Sequence, residues 1–324
     1  MPRAIRIHAP GGPEAMQWEE VAVGDPGPGE ARVRHTAVGV NYIDTYHRSG
    51  LYKVPLPSGL GSEGAGVVEA VGSGVDWVKA GDRVAYCGGP LGSYSEARVM
   101  PADRLVKLPD GISDRVAATL MLKGLTTQYL FRQIYRLKAG DTIVFHAAAG
   151  GVGLIACQWA RALGVTMIGT VGSDEKAALA KANGCTHTIV YTKENFVERV
   201  KALTGGKGVP VVYDGIGKDT FPASLDCLSP RGLFVSYGNA SGPVPPFDIL
   251  LLSQKGSLMV TRPTLFTFAK DRESIAAMSG ELFDLVKAGK SVSEPRQTVP
   301  LKDAAEAHRA LESRRTTGAT ILVP

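Results

Sequence analysis

The 324-residue chain contains only four cysteines, and they are too far apart to form a CxxC pair. Isolated cysteines predict neither a disulfide framework nor a cysteine-rich structural zinc site. The sequence also has no run of about 18 apolar residues, so no membrane span is expected. Its first residues include Arg3, Arg6 and His8 and lack the apolar segment of a secretory signal. We therefore expect a cytoplasmic protein.

The chain carries only a small excess of positive charge. Lys and Arg total 36 against 31 Asp and Glu, which gives a formal net charge of +5. The basic residues are dispersed, apart from short clusters at 132–138 and 314–315. Because a nucleic-acid interface needs a concentrated basic stripe, the charge pattern argues against nucleic acid as the main partner.

The pattern of strands and helices predicts an α/β protein with two domains. Residues 1–112 contain short Gly- and Val-rich strands, which are typical of a β-rich catalytic domain. Across 113–263 strands and helices alternate, which predicts a doubly wound parallel Rossmann sheet of about six strands. Residues 264–324 contain two helices and end on the apolar strand Ala319–Val323. We expect this last strand to return to the β-rich domain, so that 264–324 forms its second part.

A glycine-rich segment, His146-Ala-Ala-Ala-Gly-Gly-Val-Gly153, lies between a predicted strand and a predicted helix. A bare, tight turn at this point lets a pyrophosphate approach the helix N-terminus. Gly150, Gly151 and Val152 are the predicted cofactor contacts, and Gly153 allows the helix to pack on the strand. The segment therefore predicts a dinucleotide site.

The next strand favours NADPH as the dinucleotide. NAD-binding folds place an Asp or Glu about 20 residues after the glycine motif, where it binds the ribose 2′-hydroxyl. Here that strand ends at Gly172 and Ser173, which would not repel a 2′-phosphate. Lys176 and Tyr191 lie nearby and are suited to bind that phosphate. The acidic residues 174 and 175 argue in the opposite direction.

Several motifs together resemble one family over the whole chain. They are Asn41-Tyr-Ile-Asp44, Arg48-Ser-Gly-Leu-Tyr52, Gly61-Ser-Glu-Gly-Ala-Gly66, Lys123-Gly-Leu-Thr126 and Phe145–Gly153. The chain resembles the zinc-free quinone oxidoreductases of the medium-chain dehydrogenase/reductase superfamily, of the ζ-crystallin type. The resemblance implies a GroES-like catalytic domain, NADPH bound at the domain cleft and a quinone as substrate. It also implies a homodimer formed through the Rossmann edge strand, near 257–260.

Two sequence positions indicate whether the protein binds a catalytic zinc ion. The alcohol dehydrogenases of this superfamily hold catalytic zinc with a Cys where this chain has Asn41 and a His where it has Ser62. Glu63 remains, but catalytic zinc needs three protein ligands of suitable type. We therefore expect no metal. Reducing a quinone depends less on a Lewis acid than oxidising an alcohol does, since a quinone is already a strong electron acceptor.

The resemblance also assigns roles to individual residues. Asn41, Tyr46 and Tyr52 are predicted to be catalytic, at the nicotinamide end of the site. Arg314 is predicted as a further contact for the 2′-phosphate. The remaining predicted cofactor contacts, besides Asn41 itself, are Asp44, Thr126, Tyr129, Ile216, Gly238, Asn239 and Arg262.

Two other functions stay open from the sequence. One is the NADPH-dependent reduction of an activated double bond in enones or enoyl thioesters, which relatives of this fold perform with a tyrosine in the Tyr52 region. The other is a non-enzymatic RNA-binding role, which occurs among ζ-crystallin-like proteins. Assays of quinones and enones with NADPH distinguish the reduction of double bonds from the reduction of quinones. A salt-dependent affinity for RNA would indicate the RNA-binding role.

Overall fold

The computed structural model describes all 324 residues, which form two compact units. The first unit comprises Met1–Leu125, Ala269–Gly289 and Ser293–Pro324. The second comprises Thr126–Phe268 and Lys290–Val292. No helix is both long and apolar enough to cross a membrane.

The N-terminal part of the chain is rich in short strands. Its elements are β1 (Arg3–Ile7), β2 (Gln17–Glu20), β3 (Glu30–Val40), α1 (Tyr42–Ser49), β4 (Ser58–Gly59), β5 (Glu63–Val71), β6 (Arg83–Cys87), β7 (Ala97–Pro101), β8 (Val106–Lys107) and α2 (Asp114–Tyr129). The long strand β3 pairs with β5 and β7, and its register against β5 shifts at two places, which lets the sheet bend.

The middle of the chain forms the parallel sheet that the sequence predicts. Its elements are β9 (Thr142–His146), α3 (Gly151–Leu163), β10 (Thr166–Val171), α4 (Asp174–Ala182), β11 (His187–Val190), α5 (Phe196–Leu203), β12 (Val209–Asp214), β13 (Leu228–Ser236), α6 (Leu250–Gln254), β14 (Met259–Thr261) and α7 (Leu265–Phe268). The six strands lie in the order β11-β10-β9-β12-β13-β14. The order reverses beside β9, where a doubly wound fold binds ligands at the carboxyl ends of its strands.

The C-terminal part returns to the β-rich sheet, which confirms the prediction for the last strand. Its elements are α8 (Arg272–Lys287), β15 (Pro295–Pro300), α9 (Ala304–Glu312) and β16 (Ala319–Val323). Strand β16 pairs antiparallel with β3, so that Ile321 lies opposite Gly39. The sequence did not predict β15, which is bounded by two prolines. Its position at the sheet edge explains why prolines are tolerated there.

Each unit has its own apolar core. In the second unit Val144, Ile168, Val212 and Phe234 are buried together on four neighbouring strands of the parallel sheet. Helix α3 covers this sheet and ends at Gly164, whose φ of 72° is the left-handed conformation of a helix C-cap. The packed core fixes the strand ends, and the loops that follow them carry the predicted site.

Candidate functional site

The glycine-rich turn between β9 and α3 places no bulky side chain at the N-terminus of α3. Gly150 is the N-cap of α3 and donates its N–H to the carbonyl of Ala147 at 2.9 Å. A Cβ on Gly153 would lie 2.3 Å from that same carbonyl oxygen, so only glycine fits there. The first N–H groups of α3, at Gly151 and Val152, have no acceptor within the helix and attract an anion. The turn therefore fits a pyrophosphate.

The end of β10 is polar and has no inward carboxylate. A Cβ on Gly172 would lie 3.0 Å from the hydroxyl oxygen of Tyr191, so a longer side chain there would collide with this tyrosine. The Ser173 hydroxyl accepts the N–H of Lys176 at 3.3 Å and caps α4. A phosphate beside Ser173 would therefore face a helix N-terminus, a phenol hydroxyl and a nearby lysine backbone.

One of the two acidic residues after β10, Asp174, has a basic partner. Asp174 forms an ion pair with Lys193, and its side chain is 72% exposed. This pairing holds the carboxylate on the surface and offsets its charge. The objection that Asp174 raises to a bound 2′-phosphate is thereby weakened.

Two further turns, after β12 and β13, lie against one another. The buried Asp214 accepts N–H groups of Ile216 at 2.7 Å and Gly217 at 3.0 Å, which fixes the first turn. A Cβ on Gly238 would lie 2.6 Å from the carbonyl oxygen of Gly215, so the second turn needs glycine. The predicted contacts Ile216, Gly238 and Asn239 thus occupy adjacent turns at the carboxyl edge of the sheet.

The other predicted residues of this unit have structural partners. Arg262 donates to the carbonyl oxygen of Ser236 at 2.8 Å and holds the end of β13. The ring of Tyr129 stacks on Phe268 with centroids 4.7 Å apart, and burial raises the pKa of its hydroxyl. Thr126 lies one turn earlier on α2 and is also buried.

In the first unit, Asn41 lies at the start of α1 and is bonded to a buried acid. Its Nδ2 donates to Oε2 of Glu63 at 2.8 Å. The same oxygen accepts a hydrogen bond from the Nζ group of Lys123 at 3.0 Å. The other carboxylate oxygen, Oε1, accepts one from the backbone N–H of Leu122 at 2.8 Å. A Cβ on Gly39 would lie 2.2 Å from Glu63 Oε2, so this glycine makes room for the carboxylate.

Asp44, on the first turn of α1, is completely buried. Its Oδ2 accepts the Asn41 N–H at 2.9 Å and the Tyr94 hydroxyl at 2.9 Å. Burial raises the pKa of Asp44 to about 7, while these two donors and the charge of Lys123 oppose the rise. The hydroxyl of Ser62 lies 3.5 Å from its other oxygen.

These contacts test the fit of a zinc ion. The two positions at which related alcohol dehydrogenases have zinc ligands carry an amide and a hydroxyl, and each is bonded to a buried carboxylate. The charge of Glu63 is already matched by the ammonium of Lys123. No group of three or more His, Cys, Asp or Glu side chains converges in the structure. The donor set therefore does not fit zinc.

The tyrosines predicted for catalysis form one aromatic cluster. The rings of Tyr46 and Tyr52 meet edge to face, with centroids 5.2 Å apart. Helix α1 ends at Gly50, whose φ of 80° turns the chain so that the Tyr52 N–H reaches the Tyr46 carbonyl at 3.0 Å. Tyr42 instead donates its hydroxyl to the carbonyl of Leu311 at 3.1 Å.

Arg314 follows α9 in a left-handed conformation, with a φ of 58°. Its charge acts on Tyr42 and opposes the rise in the pKa of that hydroxyl, a rise caused by burial. Arg314 therefore lies near the start of α1. Whether it binds the 2′-phosphate stays a prediction.

Sequence reasoning missed several residues of the first unit. Lys123 was recognised only as part of a family motif, and Glu63 only as part of a motif and as a single remaining metal ligand; their ion pair was not predicted. Tyr94, His308 and Arg48 form a buried hydrogen-bonded chain with Asp44 that had no local signal, because directly bonded members lie up to 260 positions apart.

Comparison with known proteins defines the class. Residues 27–110 match the alcohol dehydrogenase GroES-like domain, and residues 151–277 match the zinc-binding dehydrogenase family. The chain is thus a medium-chain dehydrogenase/reductase.

Individual relatives identify the family within this superfamily. A quinone oxidoreductase of Pseudomonas aeruginosa is 59% identical, with 100% of both chains covered. A 2-haloacrylate reductase of a Burkholderia species is 49% identical over 100% of this chain and 99% of its own. The crystal structure of Escherichia coli quinone oxidoreductase complexed with NADPH has a TM-score of 0.97 and 52% identity, covering 99% of this chain and 100% of that one. This chain belongs to the quinone oxidoreductase family.

Proposed function

We propose that this protein is a zinc-independent oxidoreductase that reduces quinones with NADPH. The observation that carries the proposal is the pairing of Glu63 with Lys123 and Asn41, at the place where related dehydrogenases bind a metal. A buried carboxylate already neutralised in this way gives no reason to bind a cation. Full-length identity to quinone oxidoreductases supports the same activity.

NADPH fits the second unit through the groups that its strand ends present. When bound, the reduced nicotinamide supplies a hydride. Gly150, Gly151 and Val152 would hold the pyrophosphate at the start of α3. Gly172, Ser173, Lys176 and Tyr191 would hold the 2′-phosphate, with Arg314 as a further contact. The residues proposed to hold the nicotinamide and its ribose are Asn41, Asp44, Thr126, Tyr129, Ile216, Gly238, Asn239 and Arg262.

The chain assists quinone reduction chiefly by positioning. An Asn side chain has two N–H groups, and Glu63 uses one of those of Asn41. The other would donate to a quinone oxygen on which negative charge develops during the reaction. The hydroxyls of Tyr46 and Tyr52 would orient the quinone ring. No step requires a metal, because the quinol oxygens are comparatively acidic and leave no strongly basic alkoxide.

A second candidate is the reduction of an activated carbon–carbon double bond. The 49% identity to a 2-haloacrylate reductase supports it, as does the presence of two tyrosines that could protonate a carbon. A steady-state screen of benzoquinone, a cyclic enone and 2-chloroacrylate, with NADPH and with NADH, tests both. We expect benzoquinone with NADPH to give the highest kcat/KM. Turnover of an alkene without turnover of quinones would replace the proposal by the alternative.

We further propose that residues 1–112 and 264–324 form the catalytic domain and residues 113–263 the NADPH-binding domain.

We also propose that the protein is a cytoplasmic homodimer. Strand β14 is an edge strand with exposed Met259 and Val260, which supports pairing across a two-fold axis. Four free cysteines support a reducing compartment. Sedimentation should give a dimer, and Val260→Lys should weaken it. A monomeric wild-type protein would refute this assembly.

A further inference from the structure

A chain of buried hydrogen bonds leads from helix α9 to the start of α1. Arg48 Nη1 lies 3.0 Å from His308 Nδ1, and His308 Nε2 lies 3.0 Å from the Tyr94 hydroxyl. That hydroxyl lies 2.9 Å from Asp44 Oδ2, which also accepts the Asn41 N–H at 2.9 Å. Arg48, Tyr94, His308 and Asp44 are each at most 2% exposed, so water does not compete for these bonds.

The direction of every bond in this chain is fixed by Arg48. A guanidinium can only donate, so His308 Nδ1 must accept and cannot carry a proton. The imidazole is therefore neutral with its hydrogen on Nε2, and burial together with Arg48 lowers the pKa of His308 to about 3. The Nε2–H group donates to the oxygen of Tyr94. The single hydrogen of Tyr94 is then left for Asp44.

Arg48 is itself held so that it cannot turn away. Its Nη2 donates to Oε1 of Glu312 at 2.6 Å, and its Nη1 donates to Oε2 at 3.1 Å. Its Nε donates to the carbonyl of Gly11 at 3.1 Å. His308 and Glu312 are four residues apart on α9, so one helix presents both partners to the guanidinium.

The last link of the chain is the predicted catalytic Asn41. Asp44 fixes the backbone of Asn41 at the start of α1, while Glu63 fixes its side chain. Oδ2 of Asp44 accepts from both Asn41 and Tyr94, so the direction of the chain requires that this oxygen carry no proton. The chain therefore favours one orientation of Asp44 and, through it, of Asn41.

We propose that Arg48, His308 and Tyr94 are positioning residues for the reaction, which align Asn41 through a hydrogen-bond chain of fixed direction ending at Asp44. The inference rests on the proposed function, in which Asn41 contacts the quinone. None of the three residues needs to contact substrate or cofactor. Because misplacement of a reacting group by about 1 Å costs up to about 100-fold in rate, this alignment affects kcat.

The kinetic test compares two substitutions at His308. Gln keeps an acceptor for Arg48 and a donor for Tyr94, whereas Leu has neither. With NADPH and benzoquinone we expect His308→Leu to lower kcat at least about tenfold with little change in KM for NADPH, and His308→Gln to recover most of the loss. Tyr94→Phe, which keeps the ring, should lower kcat as Leu does. Equal kcat for the folded Leu and wild-type enzymes, or equal losses for Gln and Leu, would overturn the proposal.

The spectroscopic test needs no substrate. In ¹⁵N-histidine-labelled protein at pH 7, we expect His308 to show a protonated Nε2 and a bare Nδ1, and Arg48→Met to lose this preference. The His308→Gln spectrum assigns the signals. An imidazolium, or a proton on Nδ1, would refute the chain whatever the activity is. Absence of quinone reduction by the wild-type enzyme would instead refute the proposed function, so the two failures are distinguishable.

Discussion

The ammonium group of Lys123 lies 3.0 Å from Oε2 of Glu63, and neither side chain is more than 6% exposed. Breaking a buried ion pair by removing one partner leaves an uncompensated charge, which costs about 3–5 kcal/mol of stability. We expect Lys123→Met to lower the free energy of unfolding by about that amount in urea denaturation. The double variant Lys123→Met, Glu63→Gln removes both charges and should recover much of the loss. Equal stability of Lys123→Met and the wild type would contradict the role of this pair.

Acid should destabilise the protein through its buried histidines. Burial lowers the pKa of His35 to about 4 and that of His308 to about 3, below the ordinary value of 6.5. Since the unfolded chain takes up these protons first, the stability that they contribute is complete above pH 6.5 and is lost as the pH falls toward those values. Each proton changes the free energy of unfolding by about 1.4 kcal/mol per pH unit.

Substitution can isolate the share of His308 in this acid sensitivity. His308→Gln should reduce the slope of stability against pH between about 6 and 4, measured by denaturation at several pH values. Val292→Ala, at an exposed side chain that carries no titratable group, is the control and should leave the slope unchanged. The same slope in both variants would show that His308 is not held neutral by the fold.

Cofactor preference should depend on Lys176. A hydrogen bond to a charged group contributes about 1.5–3 kcal/mol, or roughly 10- to 150-fold in affinity. Lys176→Ala should raise KM for NADPH by about that factor and leave KM for NADH nearly unchanged. Lys181→Ala, on the exposed surface of the same helix, is the matched control. Equal losses for both cofactors would mean that Lys176 supports the fold and not the 2′-phosphate.

The two tyrosines separate the candidate reactions. If the enzyme works by positioning a quinone, Tyr46→Phe and Tyr52→Phe should each lower kcat with benzoquinone by less than about tenfold, since general-acid catalysis typically contributes about 10²–10⁴-fold. Their effect should appear mainly in KM, as lost substrate binding. A drop of several hundredfold in kcat, with unchanged NADPH affinity, would favour the reduction of activated double bonds.

Much of the fold could be predicted because its signals are local. The alternation of strand and helix segments predicted the six parallel strands, and the surplus final strand predicted a return to the β-rich domain, where β16 pairs with β3. The edge strand β15 was missed because its two prolines are unfavourable for strands in general. The site was predictable only where one segment carries it, as at the turn around Gly150. The Lys123–Glu63 pair joins residues 60 positions apart and is visible only in the structure.

The central claim is that NADPH-dependent quinone reduction by this enzyme needs no metal. The most direct measurement is the kcat for benzoquinone with NADPH before and after exhaustive chelation, together with elemental analysis of the same purified sample. We predict far less than one zinc per chain and an unchanged kcat. About one zinc per chain, with activity that chelation removes and added zinc restores, would contradict the account.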